Sequence, residues 1–353
     1  MDSYRLVDSH CHLSFEPRDL DPENDNVKDI INKRLDLERE NEGQLVLNIM
    51  STTHFDHDLL FKNEVFDEKH GVYKLGLGVH PWYSYLYTFE KNTSKLDHYL
   101  SILSVEHKEV AKKLGVEITE TAKIEEFIKE TITKNCHLYP EIHYIRDIYT
   151  DEVFLKYDFV GEVGLDFKAV ATKIADNSDG LDFRVSRGHQ LNIFEFFVDK
   201  FTENQSNLKF ISIHSVKASQ ATFDTMKLID KKLQDMNKKA NIVLHSYNGT
   251  IDQFNQQYLK LKNINSFISL SGYINCKLPL TNKQKTLISK LEVKNMLIET
   301  DVPINTEMEG FCFKLDLERT LEVIKNLKAN ISLNELKTEI NNNYARIMGG
   351  LEF

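Results

Sequence analysis

The amino-acid sequence predicts an α/β protein, a (β/α)₈ TIM-type barrel with a helical insertion between strands 3 and 4. Eight apolar runs rich in Val, Ile, Leu and Phe alternate with charged segments of helical period, as in parallel α/β folds. Histidine and carboxylate residues gather at the carboxyl ends of these runs, where (β/α)₈ enzymes place their active sites. We therefore expect residues 1–353 to form a single barrel domain.

The predicted strands follow one another along the chain with helices between them. Continuous apolar runs are typical of strands that are buried on both faces of a parallel sheet. Helical period is clear between strands at residues 221–239 and 281–293. Eight such strands favour a closed barrel over an open doubly wound sheet. The predicted strands are residues 4–10, 44–50, 74–80, 158–167, 209–215, 241–247, 266–272 and 295–301.

One stretch is longer than a minimal barrel requires. Between His80 and Glu162 lie 81 residues, whereas a crossover between parallel strands needs only about a dozen or more. Residues 95–114 and 121–135 within it have helical period. We therefore expect residues 83–150 to form a helical insertion within the barrel domain, at the carboxyl ends of the strands, where it would limit access to the site.

Composition is that of an ordinary globular protein, with 41% hydrophobic and 28% charged residues. There is no run of 18 apolar residues and no secretory signal, and the four cysteines form no C-x-x-C pair, which together predict a cytoplasmic or nuclear protein. The net charge of −10 argues against a broad basic face for duplex nucleic acid. A phosphate-containing substrate is still compatible, because bound divalent cations can dominate the local charge of a site.

Two histidines stand one residue apart at the end of the first predicted strand, in VDSHCHL (7–13). Residues i and i+2 of a strand point to the same side, so His10 and His12 would direct two imidazoles to one point. Two neutral imidazoles make half of a site for a divalent transition metal. The alternative is a pair of unrelated surface histidines. One short motif cannot distinguish the two interpretations, so the rest of the chain must do so.

Further metal-binding side chains lie at or near the ends of other predicted strands. Four imidazoles and two carboxylates are too many for one four-coordinate zinc ion, and they suit two metal ions that share a carboxylate. The whole predicted ligand set is His10, His12, Glu162, His214, His245 and Asp301.

The order of the strands suggests how the ligands divide between the two ions. His10, His12 and Asp301 come from the first and last strands, which are neighbours in a closed barrel, and would hold one ion. His214 and His245, from adjacent strands, would hold the second. The remaining carboxylate, on a central strand, is the predicted bridge.

A two-metal site of this kind is suited to hydrolysis. Two cations can activate water and contact both the attacking and the leaving oxygen of a displacement. Asp301 could also accept a proton from the water as general base, so Asp301 and Glu162 are the predicted catalytic residues.

Six motifs occur in an order that resembles the TatD family of metal-dependent deoxyribonucleases, within the amidohydrolase superfamily. The closing stretch NNNYARIMGGL (341–351) is similar to the C-terminal signature of that family. The resemblance implies cleavage of DNA phosphodiester bonds with two divalent ions (Zn, Mg or Mn), the six residues above as ligands, and His80 as a contact to a substrate phosphate. The motifs are DSHCHL (8–13), GVHPW (78–82), GEVGLDF (161–167), IHSVKA (213–218), LHSYNG (244–249) and IETDVP (298–303).

The sequence departs from the family beside the predicted ligands. Family members usually have H-P-H where this chain has His80, Pro81 and Trp82, and often H-S-R-D-A at residues 214–218, where this chain has HSVKA. With the long insertion, these departures indicate a eukaryotic, fungal side branch. Trp82 could stack on a base or cover the mouth of the barrel, and Lys217 could replace a phosphate contact or lie in solvent.

We expect the substrate to be DNA with a single-stranded or frayed end. The alternatives are hydrolysis of another phosphoester or an amide, and a protein-binding scaffold that retains an ancestral metal site. A pure scaffold has no evident reason to keep six ligands, which favours the hydrolase. Asp8 could orient a ligand histidine or cap a loop, and Asp166 could support the site or lie at a solvated strand end.

Overall fold

A computed structural model describes residues 6–14, 29, 33, 45–62, 73–204, 206–304 and 311–349. Eight parallel strands form one sheet in chain order. Predicted strand residues 4, 5 and 44, and the last two residues of the C-terminal signature, lie outside the described residues. The strands are β1 (Leu6–His12), β2 (Leu45–Met50), β3 (Tyr73–Leu77), β4 (Phe159–Asp166), β5 (Phe210–Val216), β6 (Ala240–Leu244), β7 (Ile264–Ser271) and β8 (Met296–Glu299).

The sheet curls so that its first and last strands meet. The amide of Asp301 donates to the carbonyl oxygen of His10 at 3.0 Å, and the amide of His12 donates to the carbonyl oxygen of Val302 at 3.1 Å. His12 also pairs in parallel with Pro303. These contacts join β1 to the segment that follows β8, and they confirm the predicted TIM-type barrel.

Asp8 stabilises this seam, by which we mean the junction of β1 with the segment that follows β8. Its buried carboxylate accepts hydrogen bonds from the amide of Thr300 at 3.0 Å, the hydroxyl of Thr300 at 2.6 Å and the amide of His10 at 3.1 Å. Burial raises the pKa of Asp8 well above its ordinary value, although these hydrogen bonds favour the carboxylate. Asp8 therefore holds two backbone segments together, and none of these three bonds comes from a ligand imidazole.

The amino-terminal end of the barrel is filled by apolar side chains and covered by the C-terminal helix. Tyr344 and Ile347 of that helix belong to the cluster formed by residues at the starts of the strands, such as Val7, Val46 and Phe159. The Tyr344 hydroxyl donates to the side-chain oxygen of Asn48 at 2.6 Å. Because this end is plugged, the carboxyl ends of the strands are left to form the site.

Helices surround the sheet as an outer layer. None of the helices in the described part of the chain has the length and apolar character needed to cross a membrane. The predicted helices at 221–239 and 281–293 are observed with slightly different ends. Within the continuous described segments, the α-helices are His54–Lys62, Lys95–Ile102, His107–Leu114, Thr121–Asn135, Ile145–Ile148, Asp151–Phe154, Thr172–Ala175, Arg187–Glu203, Ser219–Asp235, Ile251–Gln256, Asn282–Lys290, Phe313–Leu327 and Leu333–Ile347, with 3₁₀ turns at Pro81–Leu86, Cys136–Leu138, Tyr258–Lys260 and Val293–Asn295.

The segment between β3 and β4 is largely helical, but the helical pattern of residues 95–114 is divided in two. Leu103 and Ser104 leave the helix and pair in antiparallel fashion with Val185 and Arg184, which lie just before the helix Arg187–Glu203. The chain becomes helical again at His107. This pairing attaches the insertion to the loop that follows β4, at the carboxyl end of the barrel. Of residues 83–150, only Tyr83 lines the main cavity there among the described residues.

We expect the bond between Asp8 and Thr300 to contribute to stability. Thr300→Val keeps the shape of the side chain but removes the donor from a buried carboxylate, which should lower the free energy of unfolding by about 1–3 kcal/mol. Thr300→Ser keeps the hydroxyl and is the matched control. Urea unfolding of the three proteins in chelator measures the difference. A Thr300→Val protein as stable as wild type would show that the seam does not need this bond.

Candidate metal centre

A cavity of about 390 Å³ opens at the carboxyl ends of the barrel strands. Its volume is within the range of small-molecule sites. No lysine or arginine lines it among the described residues. The lining residues are His12, Ser14, Thr52, His80, Trp82, Tyr83, Glu162, Asp166, His214, Ser215, Val216, His245, Ser246, Asn248, Tyr273, Ile274 and Asp301.

The two histidines of β1 face the floor of this cavity together. Their Nε2 atoms are 3.3 Å apart, as the alternation of a strand predicts. His10 is fully buried, and its Nδ1 atom lies 3.0 Å from the hydroxyl oxygen of Ser212 on β5. Cys11, between the two histidines, donates from Sγ to the carbonyl oxygen of Asn48 instead. The motif therefore presents two Nε2 atoms to one point.

Glu162 lies at the centre of the imidazoles, with a different pair near each carboxylate oxygen. Its Oε2 atom is 3.5 Å from Nε2 of His10 and 3.3 Å from Nε2 of His12. Its Oε1 atom is 2.7 Å from Nδ1 of His214 and 3.3 Å from Nε2 of His245. Glu162 is only 1% exposed. One carboxylate thus connects the histidines of β1 with those of β5 and β6.

Asp301 completes the group from the other side of the seam. It follows β8 with a positive φ of 61°, a conformation that non-glycine residues rarely adopt. One carboxylate oxygen, Oδ1, lies 3.3 Å from Nε2 of His12, and the other, Oδ2, lies 3.8 Å from Nε2 of His245. The sharp backbone turn directs the carboxylate toward the histidines.

The six predicted ligands therefore lie together, and their division between two ions stays a prediction. His10, His12 and Asp301 form one triad, as the neighbouring first and last strands predict. His214 and His245 fall into separate triads, each with Glu162. In each triad the potential ligand atoms are all within 4.8 Å of one another; the triads are His10–His12–Asp301, His10–Glu162–His245 and His80–Glu162–His214.

His80 belongs to one of these triads, although the family resemblance implied only a contact to a substrate phosphate. It lies beyond the end of β3, and its Nδ1 atom accepts a hydrogen bond from the amide of Trp82 at 3.2 Å. In the neutral ring Nε2 then carries the hydrogen, and this atom faces Oε1 of Glu162 at 3.3 Å. Burial lowers the pKa of His80 to about 4, although the Glu162 carboxylate favours protonation.

Glu299 is a functional candidate that the sequence reasoning missed. It is fully buried in β8, and Oε1 lies 3.0 Å from Nδ1 of His245. The same oxygen accepts hydrogen bonds from the amide and the hydroxyl of Ser246, both at 2.8 Å. A carboxylate bonded to the far nitrogen of an imidazole fixes the orientation of the ring. A glutamate inside the apolar run NMLIETD was the available signal.

Asp166 and Trp82 form a pair at the edge of the cavity. The indole nitrogen of Trp82 donates to Oδ2 of Asp166 at 2.8 Å, and the same oxygen is 3.5 Å from Nε2 of His214. Oδ1 of Asp166 accepts from the amides of Lys168 and Ala169 at 2.8 and 3.0 Å. Asp166 is therefore an internal partner of the site rather than a solvated strand end.

Lys217 is the predicted substrate contact that lies away from the others. Its side chain is exposed, its φ is 53°, and it does not line the cavity. Its role as a phosphate contact stays a prediction.

The charges of the group are mutually compensating. Burial disfavours the carboxylate of Glu162. The surrounding imidazoles, of which His80 has the largest effect, outweigh this penalty and hold the pKa of Glu162 well below the ordinary value. The pKa of Asp301 is also lowered. Burial alone would raise it, but His245 and the hydrogen bond with His12 favour the carboxylate and bring the pKa to about 2. Burial likewise opposes protonation of His245, but the nearby carboxylates, Glu299 first, raise its pKa to about 10.

The donor set fits divalent cations. Oε2 of Glu162 is buried and has no hydrogen-bond partner in the described part of the chain, although two imidazole nitrogens are close to it. Imidazole nitrogens with carboxylate oxygens are ligands that suit Zn²⁺ and, with fewer nitrogens, Mn²⁺ or Mg²⁺.

A family comparison matches almost the whole chain. Residues 7–349 match the model of the TatD related DNase family. A protein of Saccharomyces cerevisiae, named an uncharacterized deoxyribonuclease, is 28% identical over 307 residues, which are 85% of this chain and 84% of that protein.

Solved structures show the same fold at low sequence identity. A TatD homologue of Escherichia coli superposes with a TM-score of 0.56 at 16% identity, over 98% of each chain. An uncharacterized amidohydrolase of Saccharomyces cerevisiae gives a TM-score of 0.56 at 14% identity, over 98% of this chain and 99% of that one. The expectation of a metal-dependent hydrolase acting on ester bonds is confirmed by the family match. The chain belongs to the TatD related DNase family.

Proposed function

We propose that this protein hydrolyses phosphodiester bonds of DNA at a centre of two divalent cations that share the carboxylate of Glu162. The observation that carries the proposal is the position of that carboxylate, with His10 and His12 near one oxygen and His214 and His245 near the other. The proposed cations are Zn²⁺, Mg²⁺ or Mn²⁺. Bound there, they would supply positive charge to the phosphate and make a water molecule more acidic.

The residues of the chain have distinct roles in this reaction. Water adds its oxygen to phosphorus and gives up a proton, the bond from phosphorus to one ester oxygen breaks, and a proton is taken up by that oxygen, so that the products are a phosphomonoester and a free hydroxyl. Asp301 is placed to accept the proton of the water at Oδ2, since it is 22% exposed toward the cavity and ionised at neutral pH. His80 is neutral, and its one N–H faces Oε1 of Glu162 at 3.3 Å, so it positions that carboxylate beside the cations.

The shape of the site favours a strand end over the middle of a duplex. The site is a cavity of about 390 Å³, and no cationic side chain lines it among the described residues. Tracking along a duplex relies on many lysine and arginine contacts to phosphates. We therefore propose single-stranded DNA or a frayed end as the substrate.

The cysteines support a reducing compartment for this activity. Cys11, Cys136, Cys276 and Cys312 are all free thiols, and three of them are buried. Such thiols persist in the cytoplasm or nucleus, which are the proposed locations.

Replacing His10 and His12 together with alanine should remove one of the two cations. Both imidazoles lie beside Oε2 of Glu162, whereas His214 and His245 beside Oε1 remain for the other cation. Elemental analysis of purified protein should give about two equivalents for wild type and one for the double variant. His107→Ala with His137→Ala, on the insertion, is the matched control. Two equivalents in the His10/His12 variant would contradict the assignment.

Asp301→Asn should reduce cleavage of end-labelled oligonucleotides by at least about 100-fold while the protein stays folded. The amide cannot accept the proton from water and is a weaker cation ligand. The assay compares both proteins with Mg²⁺, Mn²⁺ or Zn²⁺ and with chelator, and Asp182→Asn on the surface is the control. Equal rates, or cleavage that resists chelator, would indicate another mechanism or a contaminant.

Glu299→Gln should weaken cation binding without unfolding the barrel. The amide oxygen can still accept from Ser246, but His245 loses its charged partner. Loss of such a partner typically lowers metal affinity by about 10–100-fold. Calorimetric titration with Zn²⁺ or Mn²⁺ measures the change, with circular dichroism as the check on folding. Unchanged affinity would mean that Glu299 supports only the backbone at Ser246.

A further inference from the structure

A second exposed aromatic side chain stands on the rim of the cavity, away from Trp82. Tyr273 follows β7 and Trp82 follows β3, and both line the cavity. Strands 3 and 7 of an eight-stranded barrel are four strands apart in either direction, so the two rings lie on opposite sides of the site. Their exposed fractions are 64% for Tyr273 and 44% for Trp82.

The backbone turn at Tyr273 is held by hydrogen bonds that do not involve the Tyr273 side chain. The amide of Ser271 donates to the side-chain oxygen of Asn275 at 3.0 Å, and the Asn275 amide group donates to the carbonyl oxygen of Tyr247 at 3.0 Å. The amide of Ile274 donates to the Ser271 hydroxyl at 3.0 Å. The backbone is therefore fixed by buried partners, while a large ring projects to solvent at the mouth of the cavity.

Positive charge accompanies this ring. The ammonium nitrogen of Lys277 lies 4.8 Å from the centroid of Tyr273, within the range of a cation–π contact. Lys283 donates to the carbonyl oxygen of Asn248, which lines the same wall of the cavity. An aromatic face with neighbouring cationic groups is how proteins bind single-stranded nucleic acid, since bases stack on the ring and phosphates meet the charge.

We infer that Tyr273 and Lys277 form a nucleotide-binding subsite opposite Trp82. The inference rests on the proposed function for the position of the scissile phosphate, which lies at Glu162 between the two rings. One base flanking that phosphate stacks on Trp82, the other stacks on Tyr273, and Lys277 meets the next phosphate. Because a base stacked on a protein ring is not paired within a duplex, this arrangement requires single-stranded DNA on both sides of the bond that is cleaved.

The test measures binding, so that it does not depend on turnover. The full chain carrying Asp301→Asn is titrated calorimetrically with a short oligothymidylate in the presence of Mn²⁺. Adding Tyr273→Ala should raise Kd by about fivefold to a hundredfold, the effect of losing one stacked base. Adding Tyr273→Phe keeps the ring and should leave Kd within about threefold. An unchanged Kd for Tyr273→Ala overturns the inference.

Oligonucleotides with one abasic position on either side of the central phosphate separate the two rings. Tyr273→Ala should no longer raise Kd for the oligonucleotide that is abasic on one side of the phosphate. Trp82→Ala should no longer raise Kd for the oligonucleotide that is abasic on the other side. If both variants respond to the same isomer, or if Tyr273→Ala weakens binding equally with and without the base, the two-sided arrangement is wrong. Because Trp82 is the only tryptophan, its fluorescence also reports whether its own stacking persists in Tyr273→Ala.

Salt dependence tests the role of Lys277. Lys277→Gln should reduce the slope of log Kd against log salt by about 0.7, as expected for one lost phosphate contact on a single strand, while the penalty for either abasic position is kept. An unchanged slope removes Lys277 from the subsite. If wild-type protein with cations cleaves no phosphodiester, the proposed reaction fails, whereas the binding results still decide for or against the subsite on their own.

Discussion

The site depends on one buried carboxylate placed among imidazoles. Glu162 is almost fully buried, and an ionised carboxylate in such a place is costly unless opposite charge or hydrogen-bond donors surround it. Four ring nitrogens from three strands lie within 3.5 Å of its two oxygens, and His80 adds a fifth at 3.3 Å. The same crowding that compensates Glu162 brings the donor atoms of a metal centre together.

The backbone of the barrel makes this crowding feasible by close approach of neighbouring strands. Gly164 of β4 has a φ of 147°, and a side chain there would collide with the carbonyl oxygen of His214 on β5. A side chain at Gly78, after β3, would likewise collide with the backbone of Glu162. The strand register also shifts between Val160 and Glu162, which turns the carboxylate toward the axis of the barrel. These features bring His80, Glu162 and His214 from three successive strands to one point.

Much of this arrangement could be predicted from the sequence, because strand ends in a parallel barrel meet at one face. His10 and His12 follow from alternation along a single strand, and Asp301 follows from closure of the barrel. Glu299 was missed because a carboxylate within a strand signals nothing until its partner His245 is known. The break in residues 95–114 was missed because Leu103 pairs with Val185, which is distant in sequence. Which histidines share a triad likewise depends on three-dimensional distances of a few ångströms.

The proposed reaction requires that two cations share the carboxylate of Glu162. The most direct measurement is anomalous diffraction from crystals of the wild-type protein grown with Mn²⁺. We expect two peaks about 3.5–4 Å apart, with one carboxylate oxygen of Glu162 next to each. The peak beside Oε2 should also contact His10 and His12. A single peak, or two peaks of which only one touches Glu162, would contradict this proposal.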